Sequence, residues 1–301
     1  MIYSHLLCKI CTANVQKGYC FISLMWYYST VIKNNLLEDT KMKKILSLIV
    51  ALTLVFALGA SAFAADSDLA YVKDKGVLIV GITDFAPMDY KDEDGNWIGF
   101  DADMANAFGE YLDVDVEFIE IDWDNKILEL KNKSIDCVWN GMTLTPEVLN
   151  AMNCSNPYCN NAQVVVVKAE VADDYQTVES LSELNFAVEA GSAGEAAVID
   201  LGLEPTAVQT QADALMEVQA GTSDACVIDL LMAGAMIGEG TDYEELAYTV
   251  ELTSEEYGVG FRTDSDLADE LNAFFKAAYE DGSMLEVAKL YGVQESLVEQ
   301  E

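Results

Sequence analysis

The sequence predicts an α/β protein of two lobes with strands crossing between them, and three observations carry that prediction. Apolar runs bounded by glycine, such as Gly76-Val77-Leu78-Ile79-Val80-Gly81, have the composition of strands buried on both faces. They alternate with helical stripes, which calls for a mostly parallel sheet. After Gln163-Val164-Val165-Val166-Val167-Lys168 the alternation restarts instead of continuing, so a second unit begins there.

In chain order, a helical lead from Ser67 to Lys75 precedes the strand within Gly76–Gly81. Asp92–Gly95 has hairpin-turn chemistry, and Phe100, Met104, Ala107, Phe108 and Tyr111 fall on one helical stripe. Strand, helix and strand follow at Val114–Ile121, Asp124–Lys131 and Ile135–Trp139. The last opens through Asn140-Gly141 into a loop and then a helix start, with Thr145 as N-cap and Pro146 as the first helical residue. In the second unit Asn185–Glu189 is a strand, Gly191-Ser192-Ala193-Gly194 a turn into a helix, Gln211–Ala220 a helix, and Asp224–Ile228 a strand ending at Asp229. Tyr257–Arg262 is a strand that carries the chain back to the first unit. Ser265–Asp281 and Ser283–Tyr291 are closing helices separated at Asp281-Gly282. Two crossing strands would make a double hinge.

Half of the 301 residues are apolar, enough for a sizeable core. The formal net charge is −36; the first 65 residues hold 6 of the 16 basic and 2 of the 52 acidic side chains, so residues 66–301 carry 10 basic against 50 acidic, or −40. Such a surface repels nucleic acid and anionic lipid. The single histidine is His5, which leaves the rest of the chain without an imidazole for nucleophilic triads or the commonest metal ligation. No metal site and no cofactor are expected. The single arginine is Arg262, so at most one bidentate carboxylate clamp is available.

Lys41-Met42-Lys43-Lys44, the apolar run Ile45–Leu58 and Ala62-Phe63-Ala64 compose a signal peptide over 42–64, cut after Ala64, which places the mature protein in the periplasm or outside the cell. The run reaches the roughly 20 apolar residues of a membrane span only if the cleavage region is counted. No cysteine follows it, as lipid anchoring would need. Residues 1–41 are then an upstream stretch ahead of a start at Met42, and Cys8-x-x-Cys11 with Cys20 carries no metal or redox role. Four cysteines remain: Cys137, Cys154, Cys159 and Cys226. Export permits one or two disulfides, with Cys137 and Cys154 as the candidate pair; the alternative is four small buried side chains.

The ordered pieces Val80-Gly81 through Pro87-Met88, Gly99-Phe100-Asp101-Ala102-Asp103, Ile135-Asp136-Cys137 through Thr145-Pro146-Glu147, Ser155-Asn156-Pro157-Tyr158, Ala190-Gly191-Ser192, Asp224–Asp229 and Tyr257–Phe261 resemble the family 3 extracellular solute-binding proteins, the polar amino acid receptors of ABC transporters. The resemblance covers Leu69–Gly292. It implies an α/β fold of the periplasmic binding protein-like type II, with lobe 1 at 66–165 plus 259–301 and lobe 2 at 166–258. It also implies a monomer that closes on a small-molecule solute, an amino acid or amine, and hands it to a membrane permease without catalysis. By position, the resemblance makes Phe85 and Trp123 aromatic walls and sets Asn140, Gly141, Met142 and Thr143 along the cleft, with Gly141 and Thr143 offering backbone and hydroxyl hydrogen bonds. Gly191, Ser192 and Ala193 would present N–H groups at a helix start, Asp229 would hold a ligand ammonium, and Asp84 is a further candidate. The chemistry is consistent with each role. Plainer uses exist for the same residues: Phe85 and Trp123 as core aromatics, Gly191–Gly194 as a simple turn, and Asp229 as a helix N-cap.

One departure bears on the ligand. The family pattern runs Thr-x-Glu-Arg, its arginine clamping an α-carboxylate, whereas Thr145-Pro146-Glu147 is followed here by Val148. A charge-assisted clamp is worth roughly 1.5–3 kcal/mol, about ten- to a hundredfold in affinity. Either the ligand is an amino acid whose carboxylate is held only by backbone N–H groups and Thr143, or it is a cation lacking that carboxylate. Rival functions are a dehydratase-like enzyme, for which the chain beyond His5 is poorly equipped, and a sensor domain, which would be expected to continue into a transmembrane helix and output domain.

Overall fold

The computed structural model describes residues 67–300. The expected leader at 42–64 and the upstream residues 1–41, with His5 and their three cysteines, lie outside the described residues. The first part of the chain runs α1 (Asp68–Lys75), β1 (Val77–Ile82), β2 (Tyr90–Lys91), β3 (Trp97–Ile98), α2 (Phe100–Leu112) and β4 (Asp115–Glu120). A 3-10 turn at Trp123–Asn125 leads into α3 (Lys126–Lys131), followed by β5 (Cys137–Thr143), α4 (Pro146–Ala151), β6 (Asn153–Cys154) and β7 (Cys159–Asn161). The second part runs β8 (Gln163–Lys168), β9 (Phe186–Glu189), α5 (Ala193–Asp200), β10 (Thr206–Val208), α6 (Gln211–Ala220), β11 (Ala225–Asp229), α7 (Leu230–Met236) and β12 (Leu246–Glu251). Then β13 (Glu255–Phe261), α8 (Leu267–Asp281) and α9 (Ser283–Leu290) close the chain.

These form two lobes, each around one sheet. The first sheet has the order β4-β1-β5-β13-β6, with β7 also on β13; the second has the order β10-β9-β11-β8-β12. The chain crosses between them twice, at Ala162 and at Leu252-Thr253-Ser254, and the crossings touch: Leu252 N–H donates to the Gln163 carbonyl (2.8 Å) and Gln163 N–H to the Thr253 hydroxyl (3.0 Å). Helix starts follow their local chemistry. Thr145 caps α4 by accepting from Val148 N–H, with Pro146 at the first position, and Ser67 caps α1 in the same way.

Two expectations are corrected, and the open choice between disulfides and unpaired cysteines is decided. The sheets are mixed rather than mostly parallel, because the strands entering or leaving at the crossings, β8 and β13, run antiparallel to their neighbours. No loop opens at Asn140-Gly141; β5 continues to Thr143, paired with β13 through Met142–Gly258 and Thr143–Tyr257. Gly141 absorbs the accompanying register shift at φ 52°, a left-handed conformation that a side chain would strain. The four cysteines are free thiols. Cys137 on β5 and Cys154 on β6 flank β13, facing Phe261 and Gly260 respectively. Two inter-strand spacings amount to roughly 9.6 Å, beyond the Cα separation a disulfide spans.

Arg262 is also spent on the fold. Its guanidinium is buried and donates to Asp68 Oδ2 (2.9 Å), the Ile135 carbonyl (2.8 Å) and Asp136 Oδ1 (3.2 Å), away from the cleft.

Candidate functional site

The parallel strands of both sheets direct their carboxyl ends at one cavity of about 230 Å³. Thr83 and Phe85 follow β1, Trp123 and Lys126 follow β4, Asn140–Thr143 end β5, Glu189 ends β9, Gln211 follows β10 and Asp229 ends β11; all line it. This is the crevice in which open α/β sheets take ligands. Of the expected site residues, Phe85, Trp123, Asn140, Gly141, Met142, Thr143, Gly191, Ser192, Ala193 and Asp229 line the cavity, whereas Asp84 is exposed and does not.

The walls are apolar on one side. Phe85 stands edge-on to Tyr257 with ring centroids 6.3 Å apart, and a Cβ at Gly141 would collide with the Phe85 ring. Val148 sits at the position expected for a cation and packs with Trp123, Val138, Met142 and Met152. The valine therefore completes a hydrophobic wall.

The polar groups expected to face a ligand are largely committed within the protein. Asn140 donates to the Thr83 carbonyl (3.0 Å) and Asp89 Oδ2 (2.7 Å) and accepts from the Thr83 N–H and hydroxyl. Gly141 N–H donates to Asp101 Oδ2 (2.7 Å), and the Thr143 hydroxyl donates to Glu255 Oε1 (2.8 Å). Gly191 N–H donates to Glu195 Oε2 (2.8 Å), Ser192 N–H to the Glu189 carbonyl (3.2 Å), and the Ser192 hydroxyl accepts from Glu195 N–H (3.0 Å). A carboxylate from the chain itself thus takes the Gly191 N–H ahead of α5.

Asp229 occupies the N-cap position of α7, but its side chain makes no capping bond. Instead Oδ1 accepts from Asn161, from Gln163 Nε2 (2.9 Å) and from the Tyr257 hydroxyl (2.7 Å), while Oδ2 accepts from Gln211. Burial, reinforced by the negative charge of Glu255, pushes its pKa up to about 7 against these donors.

Three cleft residues, Gln163, Gln211 and Lys126, lie beyond the sequence expectations, whereas Glu189, just before Ala190-Gly191, is already placed by the sequence as a negative charge near the lobe 2 site. Gln163 and Gln211 orient Asp229. Glu189 is 2% exposed, with one carboxyl oxygen that has no hydrogen-bond partner. Burial, then the charge of Asp229, pushes it up to about 8, while Lys126 and Gln211 pull the other way. Lys126 spans the lobes, donating to the Trp123 carbonyl (3.1 Å) and the Gly191 carbonyl (2.9 Å) with its ammonium 4.8 Å from the Trp123 ring centroid. Desolvation lowers its pKa against the attraction of Glu189, Glu147, Asp124 and Glu195. Ser192-x-x-Glu195 is a capping-box spacing, the signal that points to Glu195.

These acids set the pH response. Asp101, beneath Gly141, is raised to about 7 by burial, alongside Asp229 at about 7 and Glu189 at about 8. Carboxyls raised on folding bind protons more tightly in the native chain, so their stabilisation is complete below the ordinary carboxylate range and is lost as pH rises towards 8. The ligand-free protein is expected to melt at a temperature that falls steadily from pH 5 to pH 8. A midpoint rising over that interval would contradict the assignment.

Residues 78–294 match the family model described as bacterial extracellular solute-binding proteins, family 3. The chain is 29% identical over 255 residues to the arginine-binding extracellular protein ArtP of Bacillus subtilis, covering 82% of this chain and 97% of that relative. Its fold matches the crystal structure of the ancestral amino acid-binding protein AncCDT-1, a precursor of cyclohexadienyl dehydratase, with TM-score 0.69 and 30% identity over 75% of this chain and 99% of that one. An ABC uptake transporter substrate-binding protein from Streptococcus pneumoniae, with bound histidine, matches with TM-score 0.69 and 27% identity over 76% of this chain and 97% of that one.

Proposed function

We propose that this chain, which belongs to the bacterial extracellular solute-binding proteins, family 3, is the exported substrate-binding component of an ABC importer and takes a small polar amino acid or amine into its inter-lobe cleft. Residues 42–64 direct export, the mature protein acts as a monomer, and it delivers its solute to a membrane permease. Lobe 1 comprises 66–161 with 255–301 and lobe 2 comprises 163–251, a few residues from the bounds the resemblance implies because β8 belongs wholly to the second sheet and β13 wholly to the first, with closure about the paired crossings at Ala162 and Leu252–Ser254. Asp229 receives the ammonium, and Phe85 and Trp123 hold the apolar part.

The observation that carries this proposal is the cavity itself: about 230 Å³ at the strand ends of both sheets, with a buried, oriented carboxylate at one side. It is smaller than the roughly 300–1,000 Å³ of pockets for drug-sized ligands. The residues are assigned to capture rather than chemistry, and turnover of a bound solute by the purified protein would overturn that. A thermal-shift panel of amino acids and amines tests binding. Trp123→Ala is expected to weaken the best ligand roughly tenfold by removing an aromatic wall; unchanged affinity would take Trp123 out of the site.

A further inference from the structure

We infer that the solute is a short-chain diamine, held at its two ammonium ends by Glu189 and Asp229 and carrying no carboxylate. The inference rests on the cleft-binding proposal above and names its ligand class.

Val148 gives no charge, and Arg262 is held by Asp68 and Asp136 outside the cavity. The Gly191 N–H, just ahead of α5, is occupied by Glu195. The Gly141 N–H and the Thr143 hydroxyl proton go to Asp101 and Glu255. Among the described residues Lys126 is the single cation lining the cavity, and its ammonium already donates to two carbonyls and faces Glu189, Glu147, Asp124 and Glu195. An arriving carboxylate would meet like charge and, apart from the Ala193 N–H at the first position of α5, donors already spent.

Glu189 ends its strand with a buried carboxyl oxygen that has no partner among the described residues, on the wall of the cavity. A buried acceptor left unpaired is costly, and a ligand N–H at that point removes the cost. Asp229 Oδ2 accepts one hydrogen bond from the protein, against three at Oδ1, so it retains accepting capacity. Among the described residues the charged groups lining the cavity are the buried Glu189, Asp229 and Lys126 and the exposed Glu147. Glu189 and Asp229 each keep accepting capacity, and a diamine, a dication at neutral pH, offers an ammonium to both where a monoamine offers one. The diamine's methylene chain suits the wall made by Phe85, Trp123, Met142 and Val148.

Calorimetric titrations of the purified protein at pH 8 with matched pairs test this directly. Putrescine and L-ornithine differ by one carboxylate, as do cadaverine and L-lysine. The expected result is that at least one diamine binds more than about tenfold tighter than its amino acid counterpart. Glu189→Gln should weaken that diamine at least about tenfold while leaving the melting temperature of the ligand-free protein within a few degrees. Repeating the titrations at pH 7 in buffers of different ionisation heat should show proton release on diamine binding, reduced in Glu189→Gln, a readout that a structural role for Glu189 would not move. Glu195→Ala, which frees the Gly191 N–H, should narrow the gap between ornithine and putrescine. Tighter binding of ornithine or lysine than of the diamines would overturn the diamine inference and leave the cleft-binding proposal standing, as would binding of glutamine without diamines. Failure of every amine and amino acid to bind would overturn both.

Discussion

Asp229→Asn is expected to weaken capture of an aminated solute by about ten- to a hundredfold while the protein stays folded. The carboxylate is 4% exposed, and its four donors, from Asn161, Gln163, Gln211 and Tyr257, fix its orientation before a ligand arrives. A charge-assisted hydrogen bond to such a preorganised group contributes roughly 1.5–3 kcal/mol, which sets the expected loss. Asparagine preserves the side-chain shape but sets its own amide against one of those donors, a cost to folding. Removing one of several crowded negative charges, with Glu255 and Glu189 close by, offsets part of it. Isothermal titration with the best ligand, beside a thermal melt, separates the two effects. Undiminished affinity would remove Asp229 from the site.

The second large effect falls on stability. Arg262→Ala is expected to cost about 3–5 kcal/mol, because it strips the partner from carboxylates that are 7% exposed at Asp68 and 0% at Asp136. For a chain of this size that lowers the melting temperature by roughly 6–20 °C. Lys75 also pairs with Asp136, and the Ile79 N–H donates to it at 2.9 Å, so part of the buried charge stays compensated and the loss should fall short of unfolding. Solute affinity, measured well below the melting point, should be unchanged, since Arg262 does not line the cavity. A fall in affinity without a fall in stability would reverse the assignment.

Much of this architecture was legible in the chain. Gln163–Lys168 and Gln211–Ala220 occupy the residues expected of them, the first because five consecutive buried positions leave no polar face, the second because Thr210 and Gly221 punctuate it. Leu246–Glu251 was not anticipated; Leu246 and Val250 are its buried apolar residues, too few for an alternation to stand out. The strand at Asn140–Thr143 was hidden for a different reason: Asn-Gly is turn chemistry locally, and pairing with β13, more than a hundred residues later, overrides it.

The site divides in the same way. Phe85, Trp123 and Asp229 were implied by the family resemblance, position by position; by residue type alone they read equally as core aromatics and a helix N-cap. That the Gly141, Thr143 and Gly191 donors are already used depends on Asp101, Glu255 and Glu195. Two of those partners are distant in sequence, and only Glu195, three residues after Ser192, left a local trace. Lys126 meets Gly191 across 65 residues, a contact no local pattern encodes. Glu189 was visible as an acid closing an apolar strand, but its unpaired oxygen appears only once the lobes are together.

The most direct measurement is native mass spectrometry of the protein purified without added ligand, beside Asp229→Asn prepared identically. The account predicts a single small adduct on the wild-type protein, identified after denaturation as an amine or amino acid, and its loss or sharp depletion in the variant. An anionic adduct without an amine, or an adduct equally retained by Asp229→Asn, would contradict it.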